Sequence, residues 1–248
     1  MDSTGNGGRP GTAGAEGGFS QMVAIIATAA ALGAADRGTA ATAERSGAGL
    51  DSNPVDDPRF EAIAGALAAN PPRRQERLPG LLEAAVTLVL RAADDLELLL
   101  IERTHRSDDP WAGHVALPGG RRDPEDADLL ATALRETREE VGVEIDPATQ
   151  VLGELDEVQP GSRRLPPLVI TPFVAVVEPE QPLDPDPVEV AAALWVPLAA
   201  LRDEAAASEV VVPVEGTRVV FPALSYRDYQ VWGLTHRILS RFFELAPE

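Results

Sequence analysis

The chain has 248 residues, 44% of them hydrophobic and 25% charged. That is too apolar for a wholly disordered chain and long enough for a domain of roughly 150–200 residues with extra segments. Forty acidic residues face 21 basic ones, every one an Arg, for a formal net charge of −19, so the chain lacks the basic footprint that a nucleic acid or an anionic membrane requires.

There are no cysteines, which excludes disulfide scaffolds, thiolate-bound zinc and thiol nucleophiles. The three histidines, His105, His114 and His236, are scattered. Any metal must therefore be held by carboxylates.

Residues 1–55 read as a low-complexity tail rich in Gly, Ala, Ser and Thr. The apolar run from Met22 to Ala35 has 14 residues, short of the roughly 20 that cross a bilayer. Asp2, Arg9 and Glu16 before it are net negative, where a signal peptide carries positive charge. The expectation is a cytoplasmic protein with one domain over residues 56–248.

In that domain the texture predicts a helix over Phe60–Ala69, broken by Pro71 and Pro72. Strand-like runs follow at Ala84–Arg91 and Leu96–Arg103, separated by the polar turn Ala93-Asp94-Asp95. A long loop runs to Trp111. A short extended piece, His114–Leu117, is closed by Pro118-Gly119-Gly120. The best helix of the chain is Ala127–Val141. Further strands are expected at Gln150–Glu157, Leu168–Val177, Val190–Val196, Val210–Val214 and Arg218–Phe221. A last helix is expected over Tyr229–Leu245, with Val231, Leu234, Ile238, Leu239, Phe242 and Phe243 at helical spacing. Strands mixed with three or four helices make an α/β or α+β domain.

The chemistry gathers on the Ala127–Val141 helix. Residues three and four apart share a helix face, so Glu136, Glu139 and Glu140 project together. Leu130, Ala133, Leu134, Thr137 and Val141 line the opposite side and suit packing on a sheet. Like charges on one face repel, and a hard divalent cation relieves that repulsion with oxygen ligands. Asp123, Asp126 and Asp128 stand before or in the first turn, where the helix dipole favours negative charge. The Gly119-Gly120 turn lets backbone come close to the same ion. The plain alternative is a solvated helix face with internal ion pairs.

The segment Arg135-Glu136-Thr137-Arg138-Glu139-Glu140-Val141-Gly142-Val143 resembles the second half of the Nudix hydrolase signature. That signature runs Gly, five residues, Glu, seven residues, Arg-Glu-apolar-x-Glu-Glu-x-Gly-apolar. Thr137 stands where an aliphatic residue is usual. The stretch from Gly120 to Arg135 is one residue longer than the general pattern, and Asp126 or Asp128 replaces the first Glu.

The longer spacing resembles the coenzyme A diphosphatase branch, as do the segments Leu99–Arg106, Pro172–Ala175, Leu194–Leu198 and Val231–Ile238. The likeness covers about Leu81 to Leu245. The branch's coenzyme A element ends in His-x-Gly, Glu or Gln, then x-Ala-Phe-Pro-Gly-Gly. Here Gly113 fits it, whereas Trp111, His114 and Leu117 depart from it.

The resemblance implies an α/β/α sandwich around a mixed β-sheet, preceded by the tail. It implies metal-dependent hydrolysis of a diphosphate, with coenzyme A or an acyl derivative favoured. ADP-ribose or a non-catalytic nucleotide-binding module remain the alternatives. Glu136, Glu140 and Glu139 would be ligands of Mg²⁺ or Mn²⁺, with the Gly120 carbonyl beside them. Arg135 would orient the glutamates. Arg103, Arg106, Arg121 and Arg122 would clamp the substrate, since guanidinium forks suit phosphate oxygens. Glu136, Glu189, Glu157 and Glu178 are open choices for a general base. The partner is a small-molecule diphosphate, with no nucleic-acid polymer and no membrane; a homodimer is compatible with the sequence.

Overall fold

The computed structural model describes residues 57–105, 113–160, 167–214 and 217–246. The tail, the loop carrying Arg106 and Trp111, and residues 161–166 lie outside them.

The described chain opens with helix α1, Pro58–Ala69. Asp57 caps it by accepting the Arg59 N–H at 2.8 Å, and Pro58 occupies the first turn, where no donor is needed. Strands β1 (Leu82–Ala92), β2 (Leu96–Arg103), β3 (Val115–Ala116) and β4 (Gly119–Arg121) follow. Helix α2 is Leu129–Val141, and β5 (Val151–Glu154), β6 (Leu168–Val177) and β7 (Val190–Pro197) come after it. A short helix α3, Leu198–Arg202, and a 3₁₀ turn lead into β8 (Ala207–Val214), β9 (Thr217–Tyr226) and β10 (Tyr229–Trp232). Helix α4, Gly233–Leu245, closes the fold.

The main sheet is mixed. Its path is β3-β2-β1-β6-β5, with β7 on β2 and β4 on β1. Only β1 and β6 run parallel; the other strand pairs of this sheet are antiparallel. One edge of β1 is shared: Leu90–Ala92 pair with β2, while Ala84–Val86 pair with β4. The two strands therefore splay apart, and the β3–β4 segment fills the fork. Thr87 N–H donates to the Pro118 carbonyl at 2.9 Å and pins that segment there.

Alternation along the central strands produces two cores. Leu88, Leu90, Leu98, Leu100, Val174 and Val176 pack against Phe60, Ile63 and Leu67 of α1 and Ile238, Leu239 and Phe242 of α4. Val89, Leu99, Ile101 and Val177 turn to the other face and meet Val141 and Val143 at the end of α2. Strands covered on both faces lose the polar half of their pattern, which is why β1, β2 and β6 read as near-continuous apolar runs. This is an α/β/α sandwich, as the resemblance implies. A separate three-stranded antiparallel sheet, β10-β9-β8, extends the α4 side.

Three expectations need correction. The final helix begins at Gly233, not Tyr229: Tyr229–Trp232 pair with Ala223–Tyr226 as a strand, and Gly233 sits at φ +66° before the helix proceeds. Tyr, Val and Trp fit a pleated surface as readily as a helix stripe, so spacing alone misplaced the boundary. The Gly-Gly turn is a strand, β4, because its backbone completes the edge of β1. The strand expected over Gln150–Glu157 is only Val151–Glu154, irregular in register near Gly153.

Candidate active site

Helix α2 lies over the fork, and its ends are fixed by local chemistry. Asp128 caps the N-terminus, accepting the Ala131 N–H at 2.8 Å. Gly142 closes the other end at φ +70°, its N–H on the Arg138 carbonyl at 2.9 Å. The helix is held down by Thr132, Ala133, Thr137, Glu140 and Val141, all buried. Leu130 and Leu134 are only partly covered. The packed face is thus more polar than its leucines suggest. Thr137 donates to the Ala133 carbonyl at 2.7 Å and shares a 2.9 Å hydrogen bond with Thr87 of β1. The threonine that stands in place of the usual aliphatic residue is thus faced by a second buried hydroxyl.

Glu140 is 2% exposed at the foot of the fork. Its carboxylate accepts the Gly119 N–H at 2.8 Å and meets Arg103 Nη1 at 3.3 Å. Burial pushes its pKa up to about 7, against the pull of Gly119 and Arg103, and the charges of Glu136 and Glu189 add to the rise. Glu136 is also raised, again first by burial. Its carboxyl lies over Gly120, so close that a Cβ there would come within 2.4 Å of Cδ. A side chain at position 120 would push the Glu136 carboxyl aside.

Arg135 organises the other side. It reaches Asp126 at 2.9 and 3.0 Å, Glu136 at 2.9 Å, Glu139 at 2.9 Å and the Arg121 carbonyl at 3.2 Å. The fork of Arg135 holds the Asp126 carboxyl well below the usual carboxylate range. Asp126 and Asp128, equivalent in sequence, thus divide their work: Asp128 caps, Asp126 anchors Arg135.

The expected residues do not all converge. Glu136, Glu140, Gly120, Arg135 and Arg103 come together. Glu139 is half exposed and turned onto Arg135. Among the described residues no three His, Cys, Asp or Glu side chains gather closely enough to hold a metal ion. Arg122 pairs with Glu83 at 3.0 Å. Arg121 is exposed beside a cleft of about 270 Å³ lined also by Leu81, Leu82, Glu83, Arg122, Asp123 and Pro124; it offers the site its carbonyl. Arg106 lies outside the described residues.

The base candidates also separate. Glu157 is buried in an ionic knot with Arg77 and Arg74. Burial pushes its carboxyl up, but Arg77, the Gln75 N–H and Thr171 together pull it down to about 2. Glu178 is exposed at the end of β6. Glu189, whose carbonyl accepts the Thr104 N–H at 2.9 Å, acts electrostatically on both Glu136 and Glu140. Sequence spacing missed the Gly119 N–H and Thr87 of β1, and it left open whether Asp126 or Asp128 is the one that meets Arg135.

The donor set of Glu136, Glu140 and the Gly120 backbone suits a hard divalent cation. Two neighbouring carboxylates, one buried and one partly buried, resist carrying charge together, and a cation reverses that preference.

Comparison with known proteins agrees. The NUDIX domain family model matches residues 81–213. An "Uncharacterized Nudix hydrolase NudL" from Photorhabdus laumondii is 35% identical over 158 residues, which are 63% of this chain and 80% of that protein. A protein of the same name from Cronobacter sakazakii is 34% identical over 128 residues, 52% of this chain and 64% of that one. A solved MutT/nudix family protein from Enterococcus faecalis is 20% identical with a TM-score of 0.47, covering 79% of this chain and 75% of that one. The chain belongs to the Nudix hydrolase family, enzymes that cleave diphosphate linkages in small molecules and generally use a divalent metal ion.

Proposed function

We propose that this chain hydrolyses the diphosphate bond of a nucleoside diphosphate derivative, with coenzyme A or an acyl-coenzyme A favoured, giving 3′,5′-ADP and the 4′-phosphopantetheine moiety. The supporting observation is the buried Glu140 and partly buried Glu136 against the Gly119-Gly120 backbone of β4, both with raised pKa values, as suits carboxylates that face a cation. Glu136 and Glu140 would hold Mg²⁺ or Mn²⁺ with the Gly120 carbonyl, and Glu139 would join through water or a rotamer change. The bound cation would supply charge neutralisation for the diphosphate and acidify water.

The chain's own groups do the rest. Arg135, fixed by Asp126, holds Glu136 and Glu139 in place. Arg103 lies against Glu140 and would meet a phosphate oxygen once a cation takes over that carboxylate. Arg106, Arg121 and Arg122 would complete the clamp. Water attacks one phosphorus, the bridging P–O bond breaks, and the leaving phosphate takes up a proton. Glu189 is the base we favour: its charge reaches both glutamates, and Glu157 is already committed to its arginines.

One observation favours a second substrate. His114 stands where the coenzyme A pattern carries Glu or Gln and packs on Trp232, and that departure from the coenzyme A element leaves room for another nucleoside derivative such as ADP-ribose. The test is a diphosphate panel with Mg²⁺ or Mn²⁺. Release of 3′,5′-ADP from coenzyme A supports the first reading. AMP from ADP-ribose, without coenzyme A turnover, replaces it with the second. No turnover of any member rejects both. The cytoplasm, where such substrates are made and used, is the location this reading implies.

A further inference from the structure

A partly exposed aromatic cluster lies at the end of β2 that carries Arg103 and supplies no reacting group. The His114 imidazole lies 4.7 Å from the Trp232 ring, centroid to centroid and tilted by 54°. Phe221 backs the indole at 5.6 Å. All three rings are only partly covered.

Backbone geometry ties His114 to the site. Arg103 N–H donates to the His114 carbonyl at 3.1 Å, while Gly113 N–H donates to the Arg103 carbonyl at 3.0 Å. Two residues thus oppose one, and the first is a glycine at φ +70°. This is a glycine bulge, a device that re-aims the neighbouring side chain. The residue it opposes, Arg103, carries the guanidinium that meets Glu140. Trp232 ends β10: Val231 before it is buried in the main core, and strand alternation turns Trp232 the other way, onto His114. Arg103 thus links the two groups: its side chain meets Glu140, its backbone pairs with His114, and Trp232 packs on the His114 ring.

We propose that His114 and Trp232 form a stacking platform for the heteroaromatic base of the substrate, with the diphosphate held at Arg103 and the glutamates. The proposal rests on the diphosphatase reading above. In a site crowded with negative charge, a π-face offers affinity that does not depend on charge, and any base can use it.

Calorimetric binding of ADP and of inorganic diphosphate, each with Mg²⁺, tests the platform in wild type, Trp232→Leu, Trp232→Phe and His114→Ala. Melting temperatures check the fold of every variant. The expected result is an ADP affinity about ten-fold weaker in Trp232→Leu, largely restored in Trp232→Phe, with diphosphate binding unchanged. His114→Ala weakens ADP in the same selective way and carries the test if Trp232→Leu does not fold. Unchanged ADP binding, or equal loss of both ligands in a folded variant, overturns the platform while leaving the hydrolase reading intact. Failure of the wild type to cleave any nucleoside diphosphate derivative overturns that reading, and the platform with it.

Discussion

The Glu136 carboxyl rests on the Cα of Gly120, and a methyl group there would sit 2.4–2.5 Å from its carbon and both oxygens. The obstructing atoms are the far end of a flexible side chain, which can swing away. Gly120→Ala is therefore expected to fold with a melting temperature near wild type and to lose turnover, by about a hundred-fold or more if Glu136 is displaced. Gly119 next to it is different. Its φ is +151°, and a Cβ would meet the Ala85 carbonyl oxygen at 2.3 Å and the Val86 Cα at 2.6 Å. That is backbone, which cannot yield cheaply. Gly119→Ala should lose about 2 kcal/mol or more of stability. Thermal melts and kcat of the two variants separate a catalytic glycine from a structural one.

Glu140 and Glu157 bend the pH–stability curve in opposite directions. Glu140, raised to about 7 from an ordinary 4.5, is protonated more readily in the folded chain than in the unfolded one. Stability from this group is highest below pH 4.5 and is lost as pH rises through 7, by roughly 3 kcal/mol at most. Glu157, lowered to about 2, stabilises the fold above pH 4.5, and that contribution disappears as pH falls towards 2. Chelated wild type should therefore melt highest near pH 4.5–5.5. Divalent metal should raise the melting temperature more at pH 8 than at pH 5, because it favours the charged form of Glu140. Glu140→Gln should lack the alkaline decline and show no turnover. A chelated Glu140→Gln that still declines between pH 5 and 8 as wild type does would place the effect elsewhere.

The face of α2 that carries the glutamates was legible because helical spacing alone puts Glu136, Glu139 and Glu140 together. So were β2 and β6, whose apolar runs end at Arg103 and Val177 as the sequence predicts. What spacing could not decide was which acidic residue does what. Asp126 and Asp128 look alike until Arg135 folds onto one and the Ala131 N–H onto the other. Glu139 shares the glutamate face, yet its side chain goes to Arg135, since rotamers answer to neighbours as well as to helical phase. The Tyr229–Trp232 strand was hidden for a related reason: its partner, β9, is a tertiary contact that periodicity within the segment does not record.

Arg135 and Asp126 form a bidentate pair, and the same guanidinium meets Glu136 and Glu139. Lysine keeps the charge but not the fork. Arg135→Lys is expected to lower kcat by about ten-fold or more while KM changes little, because the residue positions other side chains and meets no substrate. Asp126→Asn should act in the same direction, and the double variant should be no worse than the more damaged single one. Additive losses in that cycle would show that the two residues act separately.

Thr87 and Thr137 are both fully buried, 2.9 Å apart, and share the Ala133 carbonyl as acceptor. Changing one to Val removes the hydroxyl–hydroxyl bond and leaves the other hydroxyl facing a methyl group, with the Ala133 carbonyl as its remaining acceptor. Thr87→Val or Thr137→Val alone should lose about 1 kcal/mol, the typical net loss for one buried hydrogen bond. The double variant removes both hydroxyls and fills the same space with methyl groups. It should recover at least half of the summed single losses, giving a favourable coupling energy by urea denaturation. The family's usual aliphatic residue at position 137 is then explained: it is stable only when the facing position on β1 is apolar too. If the double variant loses as much as the two singles combined, the threonines do not act as a pair, and the departure at Thr137 has another cause.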